Sequence, residues 1–242
     1  MSVSHSELST STYDTTDYHT GYESTVKWEN VQERIDILNF AMDPAARAED
    51  IARNFSKGDD IKALSFALHQ VLVPDYATRE TDFPMKVSNP STGESHELAK
   101  PDERDQIFQH AGVLIEQLSA MRDGTPEDSK AFLERTAVVM ALSIVLAHQF
   151  AEGNGRTART IGELIYDGPS SEDLKIAAGN RPDKGFRMNS YTPDKSLSAI
   201  QALDYAASVG INLSNRKSYV EQASEHMATP FWNQSYKANH DN

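Results

Sequence analysis

One stretch of the sequence gathers the residue types of phosphate chemistry: His148-Gln-Phe-Ala-Glu-Gly-Asn-Gly-Arg-Thr-Ala-Arg159. Gly153 and Gly155 let the backbone approach a ligand and turn its N–H groups inward, and Arg156 opens a helix whose N-terminal dipole favours an anion. Arg156 and Arg159 are three residues apart, so both guanidinium groups are expected on one side of that helix, holding successive phosphates. Glu152 is the only acid in the loop and the expected anchor for Mg²⁺, which takes one or two protein carboxylates plus phosphate oxygens. His148 ends an apolar helix and can accept a hydroxyl proton at neutral pH. By itself a histidine there is more simply a core residue; its neighbours reverse that weighting. Base, metal ligand and phosphate clamp together describe in-line phosphoryl or nucleotidyl transfer to a hydroxyl, driven by positioning and electrostatics.

These residues must be held by helices. Ala137 to Ala147 is apolar on nearly every face, which in a soluble protein means a helix surrounded by others, so this stretch is the expected core. It continues a helix starting after Thr125-Pro126, where Thr125 caps and Glu127 and Asp128 complement the dipole. Upstream, Trp28, Val31, Ile35, Leu38 and Met42 recur at helical spacing until Asp43-Pro44, an N-cap and first-position pair. Helices are predicted near Pro44 to Phe55, Asp60 to Val73 and Asp102 to Arg122. Further ones are predicted from Arg156 to Asp167, Ser171 to Ala178, Pro193 to Val209 and Ser214 to Ala228. Between the third and fourth, Met85 to Ser88 and Glu94 to Leu98 flank a Ser91-Thr92-Gly93 turn signal and predict a small hairpin. The class is all-α with one minor hairpin.

The 242 residues carry 23 basic and 36 acidic side chains, a formal charge of −13, which repels a nucleic-acid backbone and excludes a general nucleic-acid partner. With no cysteine, a disulfide framework, a thiolate nucleophile and a Cys-ligated metal site are excluded. Residues 1–24, rich in Ser and Thr and lacking Lys and Arg, have no structural period and are expected to form a flexible tail. No signal peptide or membrane-spanning stretch is read, so a cytoplasmic protein is expected.

Residues 148–159 resemble the signature of the Fic family, His-x-Phe-x-(Asp/Glu)-Gly-Asn-Gly-Arg-x-x-Arg, at all eight of its specified positions. The resemblance implies an all-α Fic-type domain with a small β-hairpin flap, the signature lying between two core helices. It implies transfer of AMP from ATP to a Ser, Thr or Tyr hydroxyl of a target protein, with Mg²⁺ as cofactor. By this resemblance His148 is the base, Glu152 holds Mg²⁺ between the α- and β-phosphates, and Phe150 fixes the loop in the core. Gly153, Asn154 and Gly155 form the anion hole, Arg156 holds the β-phosphate and Arg159 the γ-phosphate. Gln149 stands where most members have Pro, a departure expected to affect loop rigidity modestly.

The family also implies an inhibitory helix with the pattern (Ser/Thr)-x-x-x-Glu-(Gly/Asn), which Thr25-Val-Lys-Trp-Glu29-Asn30 fits. Glu29 is then expected to pair with Arg159 and block the γ-phosphate position; the plain alternative is an ordinary first-turn acid favoured by the helix dipole. Residues 25–42 are the expected inhibitory region, 43–228 the Fic domain with its helical core at about 60–209, and 229–242 a C-terminal tail. Further expectations are a homodimer, removal as well as transfer of AMP, self-modification at Tyr13, Tyr18 or Tyr22, and help from Asn180 to Tyr191 in shaping the nucleobase pocket. The hairpin is expected either to add a target segment as a strand or to be a plain surface loop. Two rival readings stand beside adenylyl transfer: a Fic enzyme moving UMP, GMP, phosphocholine or phosphate, and a catalytically idle helical module that binds nucleotide.

Overall fold

Apolar stripes, proline starts and glycine or asparagine stops give an all-α architecture with one two-stranded ribbon. The computed structural model describes residues 27–76, 78–84, 86–88, 95–97, 99–178 and 199–209. Along these residues run α1 (Trp28–Leu38), α2 (Pro44–Asn54), α3 (Gly58–Leu72), β1 (Lys86–Ser88), β2 (Ser95–Glu97), α4 (Pro101–Ala120), α5 (Pro126–Ala147), α6 (Asn154–Tyr166), α7 (Glu172–Ala178) and α8 (Ala199–Val209). The expected tail, Thr25, the hairpin turn, the Asn180 to Tyr191 segment, the helix at Ser214 to Ala228 and the C-terminal tail lie outside the described residues.

Three helices begin on a proline, which has no N–H to leave orphaned and a φ already suited to the first turn. At α2 the Asp43 carboxylate accepts from the Ala46 N–H at 2.9 Å. At α4 the Glu103 carboxylate reaches back to the Lys100 N–H at 2.9 Å. At α5 the Thr125 hydroxyl accepts from the Asp128 N–H at 3.2 Å. Each such cap is worth roughly 1 kcal/mol.

Every residue of α5 from Thr136 to Ala147 is buried, and α2, α4, α6 and α8 all pack against this helix. Its apolar surround is why the chain can hold a polar residue rigidly at its C-terminal end. On the far side of the site α3 packs against α1, α4 and α6. The close crossing of α3 and α4 depends on Gly58, where any Cβ would overlap the backbone of Phe108 and Gln109. β1 and β2 pair antiparallel with Val87 opposite His96, forming the hairpin between α3 and α4.

The first helix is shorter than its apolar pattern. Val31 and Ile35 are buried, but α1 stops at Leu38 because Asn39 turns left-handed (φ 53°) and donates its N–H to the Asp36 carbonyl. Asparagine tolerates that conformation better than other non-glycine residues, and Met42, expected on the buried stripe, is 61% exposed. The buried Arg47 ties this region to α6, donating to the Ala41, Met42, Ile165 and Tyr166 carbonyls at 2.7–3.0 Å. Among the described residues no helix is long and apolar enough to cross a membrane.

Candidate active site

The loop between α5 and α6 is bounded by two left-handed residues. His148 (φ 42°) ends α5, and Gly153 (φ 78°) is the N-cap of α6. A left-handed conformation costs a histidine roughly 1–2 kcal/mol, so surrounding contacts must impose it. Gly153 is required twice over, because a Cβ there would also overlap Val73 Cγ2.

Within the loop Phe150 is fully buried, edge-on to Phe66 (centroids 5.0 Å apart) and stacked on the His69 ring at 3.9 Å. Asn154 brackets it: Oδ1 accepts from the Phe150 N–H at 3.0 Å, and Nδ2 donates to the Phe150 carbonyl at 2.6 Å. The Asn154 side chain is 2% exposed and bonded to the loop, while the backbone N–H groups of Asn154, Gly155 and Arg156 occupy the first turn of α6. N–H groups there have no intrahelical acceptor and point out along the axis, where an anion would sit.

The two arginines make different contacts. Arg156 Nη1 donates to the Leu72 carbonyl at the end of α3, whereas Arg159 Nη1 folds back to within 3.8 Å of the point where a Gly155 Cβ would lie. The carbonyl at the α3 terminus holds Arg156. Burial lowers the pKa of Arg156, with Glu152 and Asp75 opposing the shift.

His148 is half-buried at the end of α5. Its Nδ1 is buried without a hydrogen-bond partner among the described residues. Burial pushes the imidazole pKa down to about 4, the Val145 carbonyl opposing this and the Arg104 guanidinium adding to it. The ring is therefore neutral at pH 7 and able to act as a base. Glu152 is half-buried on the loop, and among the described residues no group of three or more His, Cys, Asp or Glu is placed to hold a metal. A cation here would depend on one carboxylate, with a ligand and water supplying the rest, a donor set that suits Mg²⁺.

The residues that shape this loop were not legible as functional. Ser65 and His69, one turn apart on α3, both reach it: Gln149 Nε2 donates to Ser65 Oγ, and His69 Nε2 lies 2.9 Å from the Glu152 carbonyl. Gln149, where a proline is usual in the resembled signature, is thus buried and bonded. On the other side Arg104 donates to the Thr81 carbonyl, the Thr81 hydroxyl and the Phe83 carbonyl at 2.7–2.9 Å, and Thr81 N–H donates to the Gln149 carbonyl at 3.0 Å. Residues 78–83, the stem leading to the hairpin, are thereby fastened to the loop. The one sequence signal for these roles is polarity on a buried stripe, as Ser65 and His69 share α3's inner face with Leu64, Leu68 and Leu72.

Glu29 is not brought to Arg159. It is exposed on α1 beside Trp28, Gln32, Glu33, Asp36 and Ile37, and among the described residues no ion pair joins it to Arg159. Asn30 is exposed beside it. The expected pairing is absent from this conformation because α1 turns Val31 and Ile35, not Glu29, toward the core.

Comparison with curated proteins and with solved structures gave no match. The model of the Fic/DOC family matches residues 60–166, from the start of α3 to the end of α6. That span contains the loop, both helices that bound it, the hairpin stem and every buried side chain that fastens them, and the match supports membership of the Fic/DOC family.

Proposed function

We propose that this chain is a Fic-type protein adenylyltransferase, moving AMP from ATP to a Ser, Thr or Tyr hydroxyl of a target protein. The observation that carries the reading is the juxtaposition of a neutral base, His148, with the open N-terminal turn of α6 at the two ends of one six-residue loop.

In this reading the target hydroxyl oxygen attacks the α-phosphorus, its proton passes to the His148 imidazole, and the bond to pyrophosphate breaks. The first-turn N–H groups of α6 take the α- and β-phosphate oxygens, which gain charge in the transition state. Arg159, lying over Gly155, reaches the γ-phosphate, and Arg156 offers the β-phosphate the side of its guanidinium not turned to Leu72. Glu152 would hold Mg²⁺, whose contribution is to neutralise phosphate charge. His148 and the loop supply position: a base held at a helix end and donors that need no rearrangement on binding.

Regulation by α1 belongs to the same proposal. Since Glu29 is exposed here, inhibition through Arg159 requires α1 to re-seat.

The test is transfer of label from ATP with Mg²⁺, using the chain itself and a cell extract as acceptors, in wild type, Glu29→Gly and His148→Ala. Expected is transfer that His148→Ala abolishes and Glu29→Gly raises. Transfer persisting in His148→Ala overturns the mechanism. Label from UTP, GTP or CDP-choline but not from ATP overturns the donor, and equal rates in wild type and Glu29→Gly remove the inhibitory role.

A further inference from the structure

We infer that His69 is a positioning residue that locks the phosphate-binding loop to the stem of the hairpin through two hydrogen bonds from one imidazole. The direction of each bond follows from its partner. The Glu152 carbonyl can only accept, so His69 Nε2 carries the hydrogen and donates across 2.9 Å. In the neutral ring Nδ1 is then the lone pair, and it accepts from the Thr78 hydroxyl at 3.0 Å. The side chain is fully buried, so both bonds are made out of contact with water.

The bond to Glu152 sets the peptide immediately before Gly153, and Gly153 aims the first turn of α6. The bond to Thr78 begins the stem that Thr81 and Arg104 fasten to Gln149 further along. One side chain thus fixes both the surface that would bind the donor's phosphates and the element that would present the acceptor. Its stack on Phe150 fixes the plane of the ring that makes both bonds.

The consequence for nucleotide rests on the proposed function; the consequence for the loop does not, and the experiment separates them. The full chain is compared as wild type, His69→Phe, His69→Gln and Thr78→Val. His69→Phe keeps a ring against Phe150 and removes both hydrogen bonds, His69→Gln keeps an N–H for Glu152, and Thr78→Val cuts the stem side alone. Amide hydrogen exchange is followed in residues 78–83 and 149–155 without ligand, and MgATP affinity by calorimetry, each variant first shown to be folded by circular dichroism.

Expected for His69→Phe are faster exchange in both segments and about tenfold weaker MgATP binding, the size of effect that one lost buried hydrogen bond gives. His69→Gln should restore protection of 149–155 and most of the affinity, and Thr78→Val should loosen 78–83 with affinity within about twofold of wild type. Wild-type exchange in residues 149–155 of His69→Phe overturns the inference, as does equal loss of affinity in His69→Phe and His69→Gln. A wild-type chain that binds no MgATP overturns the donor in the proposed function, and the exchange comparison still decides the lock.

Discussion

Asn154 closes on Phe150 at both ends of the peptide, accepting from its N–H at 3.0 Å and donating to its carbonyl at 2.6 Å. The pair spans the loop from i to i+4 and places a helix-like constraint where the backbone is not helical. The Asn154 side chain thereby helps to hold Phe150 in the core directly before α6.

A carboxylate makes only half of that bracket. Asn154→Asp keeps an acceptor for the Phe150 N–H but sets a negative oxygen against the Phe150 carbonyl. We expect a loss of about 1–3 kcal/mol in urea unfolding, the usual cost of a buried polar group left unmatched. MgATP affinity should fall with it, since the bracket holds the loop that leads into the first turn of α6. Unchanged stability would show that the amide orientation carries no weight.

Two glycines with nearly the same φ separate strain from space. Gly124 (φ 80°) has open space where a Cβ would be, and Gly153 (φ 78°) has Val73 there. Gly124→Ala should therefore cost only the left-handed penalty, roughly 1–2 kcal/mol. Gly153→Ala should add overpacking of about 1–3 kcal/mol and also weaken MgATP binding, which Gly124→Ala should leave unaltered. Equal midpoints for the two variants in urea would mean that Val73 yields without cost.

What could be read from the sequence was what is local. The starts of α2 and α5 were legible because Asp43-Pro44 and Thr125-Pro126 act on their own neighbours, and the buried half of α5 because no other arrangement hides so apolar a run. The loop was legible because its base, acid and arginines lie within twelve residues. His69 and Leu72 were not, because they meet Glu152 and Arg156 across 83 and 84 residues of chain, and only the packing of α3 on α6 creates those contacts. Helical spacing likewise assigned Arg156 and Arg159 a face, but which way each long side chain leans depends on what acceptor lies nearby. At Asn39 the short-range signal was present and was outweighed by an apolar pattern that runs on to Met42.

His148 gives the site a pH dependence with a fixed sign. Its pKa in the folded chain is pushed down to about 4, by burial first and then by the Arg104 charge, so protonation is opposed only while the chain is folded. The unfolded chain, with an ordinary histidine near 6.5, binds the extra proton between about pH 4 and 6.5, so stability falls as pH drops through that window and does not depend on this group above it. His148→Gln should therefore lose less stability than wild type between pH 7 and 4, measured by urea unfolding at each pH. In the transfer assay the acid limb of kcat/KM reports the base in the free enzyme, and it should lie well below 6.5. Replacing Arg104 by Gln removes a cation near the ring, so the acid limb should move to higher pH, whatever the loosened stem does to the maximal rate. A limb that stays in place in Arg104→Gln would mean that burial alone depresses the pKa, and a limb near 6.5 in wild type would mean that the base is not His148 in this environment.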